Sequence, residues 1–120
     1  MKQTGPSNVQ LQGMISLLKK QGSEQKVNLW KRIAADLEKS SRKRRVVNVH
    51  RINKHTKDNE TVIVPGKVLG TGEIDHKVNV AAFDFSEGAK KKIIQAKGAC
   101  MNLSEIIQKN PKGQNIRIIG

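Results

Sequence analysis

The chain has 120 residues, enough for one domain with a buried core that needs neither disulfides nor metal. Its 23 Lys and Arg against 10 Asp and Glu leave a net charge of +13, which makes a polyanion the first candidate partner. Three aromatic residues (Trp30, Phe83, Phe85) are too few for a base-stacking sheet surface, and the single Cys100 excludes an internal disulfide framework and a cysteine-rich zinc site. The opening MKQTGPSNVQLQG has no apolar signal core and no stretch approaches about 18 consecutive apolar residues, so an intracellular, reducing compartment is expected.

The charge is uneven. Residues 1–60 carry 14 Lys/Arg against 5 Asp/Glu, and residues 61–120 carry 9 against 5. Leu11, Met14, Leu17 and Leu18 recur at helical spacing and predict a helix over about 9–20, stopped by Gly22 with Lys19 and Lys20 in its last turn. Trp30, Ile33, Ala34 and Leu37 share one stripe of a second helix over about 26–39, and a short Gly-Ser joint makes the two a hairpin. A charge run, Ser40-Ser41-Arg42-Lys43-Arg44-Arg45, then ends the helical part.

Beyond it the period falls to two. Val47 and Val49 alternate with polar residues, and Thr61-Val62-Ile63-Val64 reads as a strand closed by Pro65-Gly66. A longer strand follows, with Val78, Val80 and Ala82 on one face and Ala81, Phe83 and Phe85 on the other; two apolar faces mark it as central and covered. Ser86 is placed to cap a helix over about 87–97 that buries Ala89, Ile93 and Ala96 and stops at Gly98. Cys100 then falls in a short strand. Asn102 with Glu105 opens a last helix as a capping box, Asn110-Pro111 ends it, and Ile116 and Ile118 form a final short strand. The alternation of short strands and helices predicts an α/β fold.

No motif carries catalysis. In Gly66-Lys67-Val68-Leu69-Gly70-Thr71-Gly72 the lysine follows the first glycine, not the second, so the loop fails as a phosphate-binding Walker sequence. It also lacks the third glycine of a dinucleotide fingerprint, where Asp75 stands. A glycine-bearing surface turn is the favoured reading, with its amides and Lys67 still able to approach a phosphate. Glu73 and Asp75 lack the apolar walls that would split their pKa values, and are expected to be solvated or paired with lysines. His50 and His55 lie five apart, which matches no zinc spacing. Cys100 reads as a packed small hydrophobe.

The basic run is different. Arg42, Lys43, Arg44, Arg45, Arg51, Lys54 and Lys57, with His55, put seven cations and a histidine within sixteen residues. Four adjacent cations repel one another unless a counter-charge arrives, and arginine forks match phosphate oxygens bidentately. The alternative is a solvated loop or a localisation signal. Lys90-Lys91-Lys92 is weaker, because three consecutive lysines fan around a helix.

Four segments together carry a resemblance: Val46 to Thr56, Val64 to Glu73, Val80 to Ser86, and Asn110-Pro111-Lys112-Gly113 before Ile116 to Ile119. In this order and spacing they resemble the archaeal and eukaryotic large-subunit ribosomal protein family L-eighteen-e, a relative of bacterial L-fifteen, over essentially the whole chain. The short length is similar to archaeal members. The resemblance implies an irregular superhelix of strand–strand–helix turns preceded by an N-terminal helical part, with residues 1–39 helical, 40–60 a basic segment and 61–120 an α/β core of one domain. It also implies a structural, non-enzymatic role in the large ribosomal subunit of the cytoplasm. The implied partners are ribosomal RNA and neighbouring ribosomal proteins, with no membrane, cofactor, metal or small-molecule substrate. The matching RNA-binding positions are Arg42, Lys43, Arg44, Arg45, Arg51, Lys54, His55, Lys112 and Arg117, with Lys67 added from the glycine loop. The chain departs from the family at Ser40-Ser41, where proline is frequent, and at Gly98-Ala99, where a double glycine is common.

Overall fold

A computed structural model describes residues 8–38 and 45–119. Two helices come first, α1 (Asn8–Gln25) and α2 (Asn28–Glu38), and they pack as the expected hairpin. The apolar stripe of α2 is buried as its spacing requires. Gly22, however, does not stop α1. It is buried where α2 crosses, and a Cβ there would stand 2.7 Å from Lys31 Cγ, so this glycine permits close packing. The helix ends three residues later, where Lys26 takes a left-handed conformation (φ 56°) and Val27 N–H returns to Gly22 O at 3.0 Å.

The rest is a parallel sheet with helices on both faces, so the α/β class stands. Its strands are β1 (Arg45–Asn48), β2 (Glu60–Leu69), β3 (Val78–Phe85), β4 (Ala99–Asn102) and β5 (Ile116–Ile118). The order is β1-β2-β3-β4, and β5 also pairs with β2. Thr61 to Ile63 pair with β5 and Gly66 to Leu69 with β1, so these two strands lie along one edge of β2, opposite β3. Pro65-Gly66 does not close β2. The strand runs through it, and the register against β3 shifts between Val64 and Lys67. A bulge absorbs a proline that has no N–H to give the ladder.

Three helices leave the carboxyl ends of strands: α3 (Val49–His55) after β1, α4 (Glu87–Gln95) after β3 and α5 (Leu103–Lys109) after β4. Helix α3 replaces the strand expected through Val49. Val49 and Ile52, three apart, are both buried, so the period has already returned to helical at Val49. The basic segment read over 40–60 includes β1 and α3 among its described residues. Ser86 caps α4, its Oγ accepting from Ala89 N–H at 3.1 Å, and the Asn102–Glu105 capping box at α5 is complete. The left-handed residue that ends α4 is Lys97 (φ 67°), not Gly98. Gly98 is there because any Cβ would strike the carbonyl oxygen of Val78.

The core has two halves, one on each face of the sheet. Val62, Val64, Val78, Val80 and Ala82 pack with Val49 and Ile52 of α3 and Ala89 and Ile93 of α4. Ile63, Ala81 and Met101 pack with Leu18, Trp30, Ile33, Leu37 and the α5 residues Leu103, Ile106 and Ile107. Phe83 joins this second half, but Phe85 packs with the first, so the expected alternation of Ala81, Phe83 and Phe85 fails at the strand end.

Candidate nucleic-acid interface

Helix α3 is the best-defined basic element. Its apolar residues Val49 and Ile52 face the core, which leaves His50, Arg51, Lys54 and His55 exposed on the outer side. The turn at 70–77 holds it in place. His50 N–H donates to Thr71 O at 3.1 Å, and Asp75 N–H donates to Asn53 Oδ1 at 3.1 Å. The Thr56 hydroxyl donates to Ile52 O at 2.7 Å and lies 2.8 Å from His76 Nε2, while His76 Nδ1 meets Asp75 Oδ1 at 3.0 Å. That histidine contact holds the Asp75 carboxyl below the usual carboxylate range. Gly72 (φ +98°) brings the turn so close to α3 that a Cβ would collide with His50 Cβ.

Arg117 reaches the same place from β5. Its Nη1 donates to His55 O at 3.0 Å and its Nη2 lies 3.4 Å from Glu60 Oε2. Lys54, His55 and Arg117 therefore converge on the carbonyl end of α3, where the helix dipole favours positive charge. The ion pair is half-exposed, so it leaves guanidinium surface open to an outside anion.

The other expected positions lie elsewhere. Lys67 is on β2, within the sheet and outside the turn expected for Gly66–Gly72, and its Nζ stands 3.8 Å from Asp84 Oδ2. Lys112 is in the turn before β5, on the face of the N-terminal hairpin, where Trp30 Nε1 donates to Pro111 O at 2.7 Å. It is not gathered with α3. Arg42, Lys43 and Arg44 lie outside the described residues, as do Ser40 and Ser41. Arg45 opens β1, and its main chain registers with Gly66.

Glu73 pairs with Lys92 at 3.7 Å, as expected of a carboxylate near lysines. The ammonium of Lys92 also donates to Gly72 O, which ties α4 to the turn. Cys100 is half-buried in β4, and burial pushes its thiol up. Among the described residues no cluster of His, Cys, Asp or Glu could hold a metal ion, and no helix is long and apolar enough to cross a membrane.

Residues 2–120 match the family model described as ribosomal protein 60S L18 and 50S L18e. The chain belongs to this family of large-subunit ribosomal proteins. It is 44% identical over 113 residues to large ribosomal subunit protein eL18 of Methanothermobacter thermautotrophicus, covering 94% of this chain and 93% of that one. The protein of the same name from Methanospirillum hungatei is 45% identical over an equal span. That of Sulfurisphaera tokodaii is 43% identical over 116 residues, 97% of this chain and 95% of its own. None of these names denotes an enzymatic activity.

Membership agrees with the resemblance carried by the four sequence segments, including the motif that α3 and the following turn build. Sequence reading missed Asn53, Thr56 and His76, which position α3 and its cations. A helical reading of Val49 to Thr56 would have found Thr56, one turn beyond Ile52. The contact of His76 with Thr56 gave no signal, because the two lie twenty residues apart.

Proposed function

We propose that the chain is a structural, non-catalytic component of the cytoplasmic large ribosomal subunit, acting as one domain that binds large-subunit ribosomal RNA through phosphate contacts and packs beside neighbouring ribosomal proteins. The charge balance carries this reading. Ten carboxylates cannot balance 23 Lys and Arg, so a net charge of +13 is left without compensation in the chain itself. A polyanion supplies the missing charge, and counterion release supplies most of the affinity. Arg51, Lys54, His55 and Arg117 form one contact zone at α3. Arg42, Lys43, Arg44 and Arg45 form a second, and Lys67 and Lys112 extend contact to other parts of the surface. Duplex RNA hides its major-groove edges, so shape and 2′-hydroxyl contacts carry specificity.

Salt-dependent binding to large-subunit ribosomal RNA tests this. Replacing Arg42, Lys43, Arg44 and Arg45 together by alanine flattens the slope of log affinity against log salt by roughly 3 units, at about 0.7–0.9 per phosphate contact. An unchanged slope rejects the assignment of those four residues. Equal affinity for duplex DNA and structured RNA of the same length rejects RNA as the partner. In cells, the protein is expected to stay in the large-subunit peak of a sucrose gradient after a high-salt wash, and release at moderate salt would overturn its place as an integral component.

A further inference from the structure

The β3 and β4 crossovers leave the sheet on opposite faces. Helix α4, after β3, packs through Ala89 and Ile93 into one half of the core, and α5, after β4, packs through Leu103 and Ile106 into the other. Between two strands whose helices part in this way, the carboxyl edge of a parallel sheet opens into a crevice, the usual ligand position in such folds. Here it is a cleft of about 220 Å³.

Both phenylalanines of the chain, Phe83 and Phe85, line it, one from each half of the core, and both are partly exposed. The third aromatic, Trp30, is fully buried elsewhere. Strand β4 ends at Asn102, opposite Ala82, so Phe83 to Phe85 continue without a partner strand on that side. The Phe85 N–H is taken instead by the carboxylate of Asp84, at 2.9 Å. The two acids of the lining are engaged within the fold: Asp84 with Phe85 N–H and Lys67, Glu105 with Asn102 N–H. Lys90, exposed on α4, brings positive charge to the rim, and Lys67 stands behind Asp84.

We infer that this crevice receives one unstacked base of the bound RNA. A planar ring stacks against the parts of Phe83 and Phe85 left open at the crevice, and the flanking phosphate is met by Lys90. The cleft is smaller than the roughly 300–1,000 Å³ of pockets that enclose small-molecule ligands, which fits a single ring system presented by a chain that continues outside. The inference rests on the RNA-binding reading above and adds a base contact to its phosphate contacts.

The test uses the full chain and purified large-subunit ribosomal RNA. The double substitution Phe83→Leu, Phe85→Leu keeps apolar bulk but removes stacking. The expected result is about tenfold weaker binding with an unchanged salt slope, because no phosphate contact is lost. Ultraviolet cross-linking of the wild-type complex followed by trypsin is expected to place a nucleotide on the peptide Val78–Lys90, which carries both phenylalanines. Bound RNA is also expected to slow alkylation of Cys100 by N-ethylmaleimide, since Cys100 lines the cleft. This last readout needs no substitution and decides the matter if the double variant fails to fold.

Wild-type affinity in a folded double variant, with no cross-link on that peptide and no protection of Cys100, overturns the base contact while leaving phosphate binding intact. The cleft would then be open to an apolar side chain of a neighbouring protein. Absence of saturable, salt-dependent binding by the wild-type chain overturns the RNA-binding reading itself.

Discussion

The indole of Trp30, wholly buried on α2, donates its N–H to the carbonyl of Pro111 at 2.7 Å, across 81 positions of sequence. This bond fastens the N-terminal hairpin to the turn that launches β5. Trp30→Phe keeps most of the packing but strands the Pro111 carbonyl in a partly buried place. It is expected to lower unfolding free energy by about 1–3 kcal/mol. Urea titration followed by circular dichroism checks this, because the variant loses the only tryptophan reporter.

Gly72→Ala is expected to destabilise by about 1–3 kcal/mol, since alanine is strained at φ +98° and its methyl would strike His50. The damage should concentrate at α3. Amide exchange at His50, whose N–H is bonded to Thr71 O, should accelerate more than exchange in β3.

Acid should weaken the α3–turn junction through Asp75. Its folded-state carboxyl is held below the ordinary 3.8, first by the hydrogen bond from His76. A depressed carboxylate stabilises the fold above its unfolded pKa and loses that contribution as pH falls through the folded value. The gap between the urea midpoints of wild type and Asp75→Asn, measured from pH 7 down to pH 2, is expected to close as pH falls below 3.8.

Burial raises the Cys100 thiol above its ordinary 9.0, against an opposing effect of Lys90. At pH 8 the folded protein should therefore react with iodoacetamide more slowly than a free thiol, and urea unfolding should abolish the difference. Stability linked to this group is present below 9.0 and falls as pH rises beyond it.

Elements governed by local chemistry were legible in the sequence. The α2 stripe, the Ser86 cap and the Asn102–Glu105 capping box depend on residues within a turn or two, and each formed as its spacing requires. Gly22 and Pro65-Gly66 misled because their roles are tertiary. The first fits against α2, and the second is absorbed by a bulge held between β1 and β3. The cations of the candidate interface were legible as composition, but their grouping was not. Arg117 joins His55 only because β5 lies against the first half of β2, a pairing no local pattern announces.

The shared edge of β2 also governs how the chain must fold. Thr61 to Ile63 wait for Ile116 to Ile118 of β5, while Gly66 to Leu69 take their partner from β1. Every strand pairing among the described residues is parallel, so each needs a long loop closed before any ladder bond forms. Folding should be slow for the chain's size. During synthesis the sheet edge beside Thr61 stays open until Ile116 to Ile118 emerge, so the carbonyl end of α3 gains Arg117 only after β1 to β4 have been made.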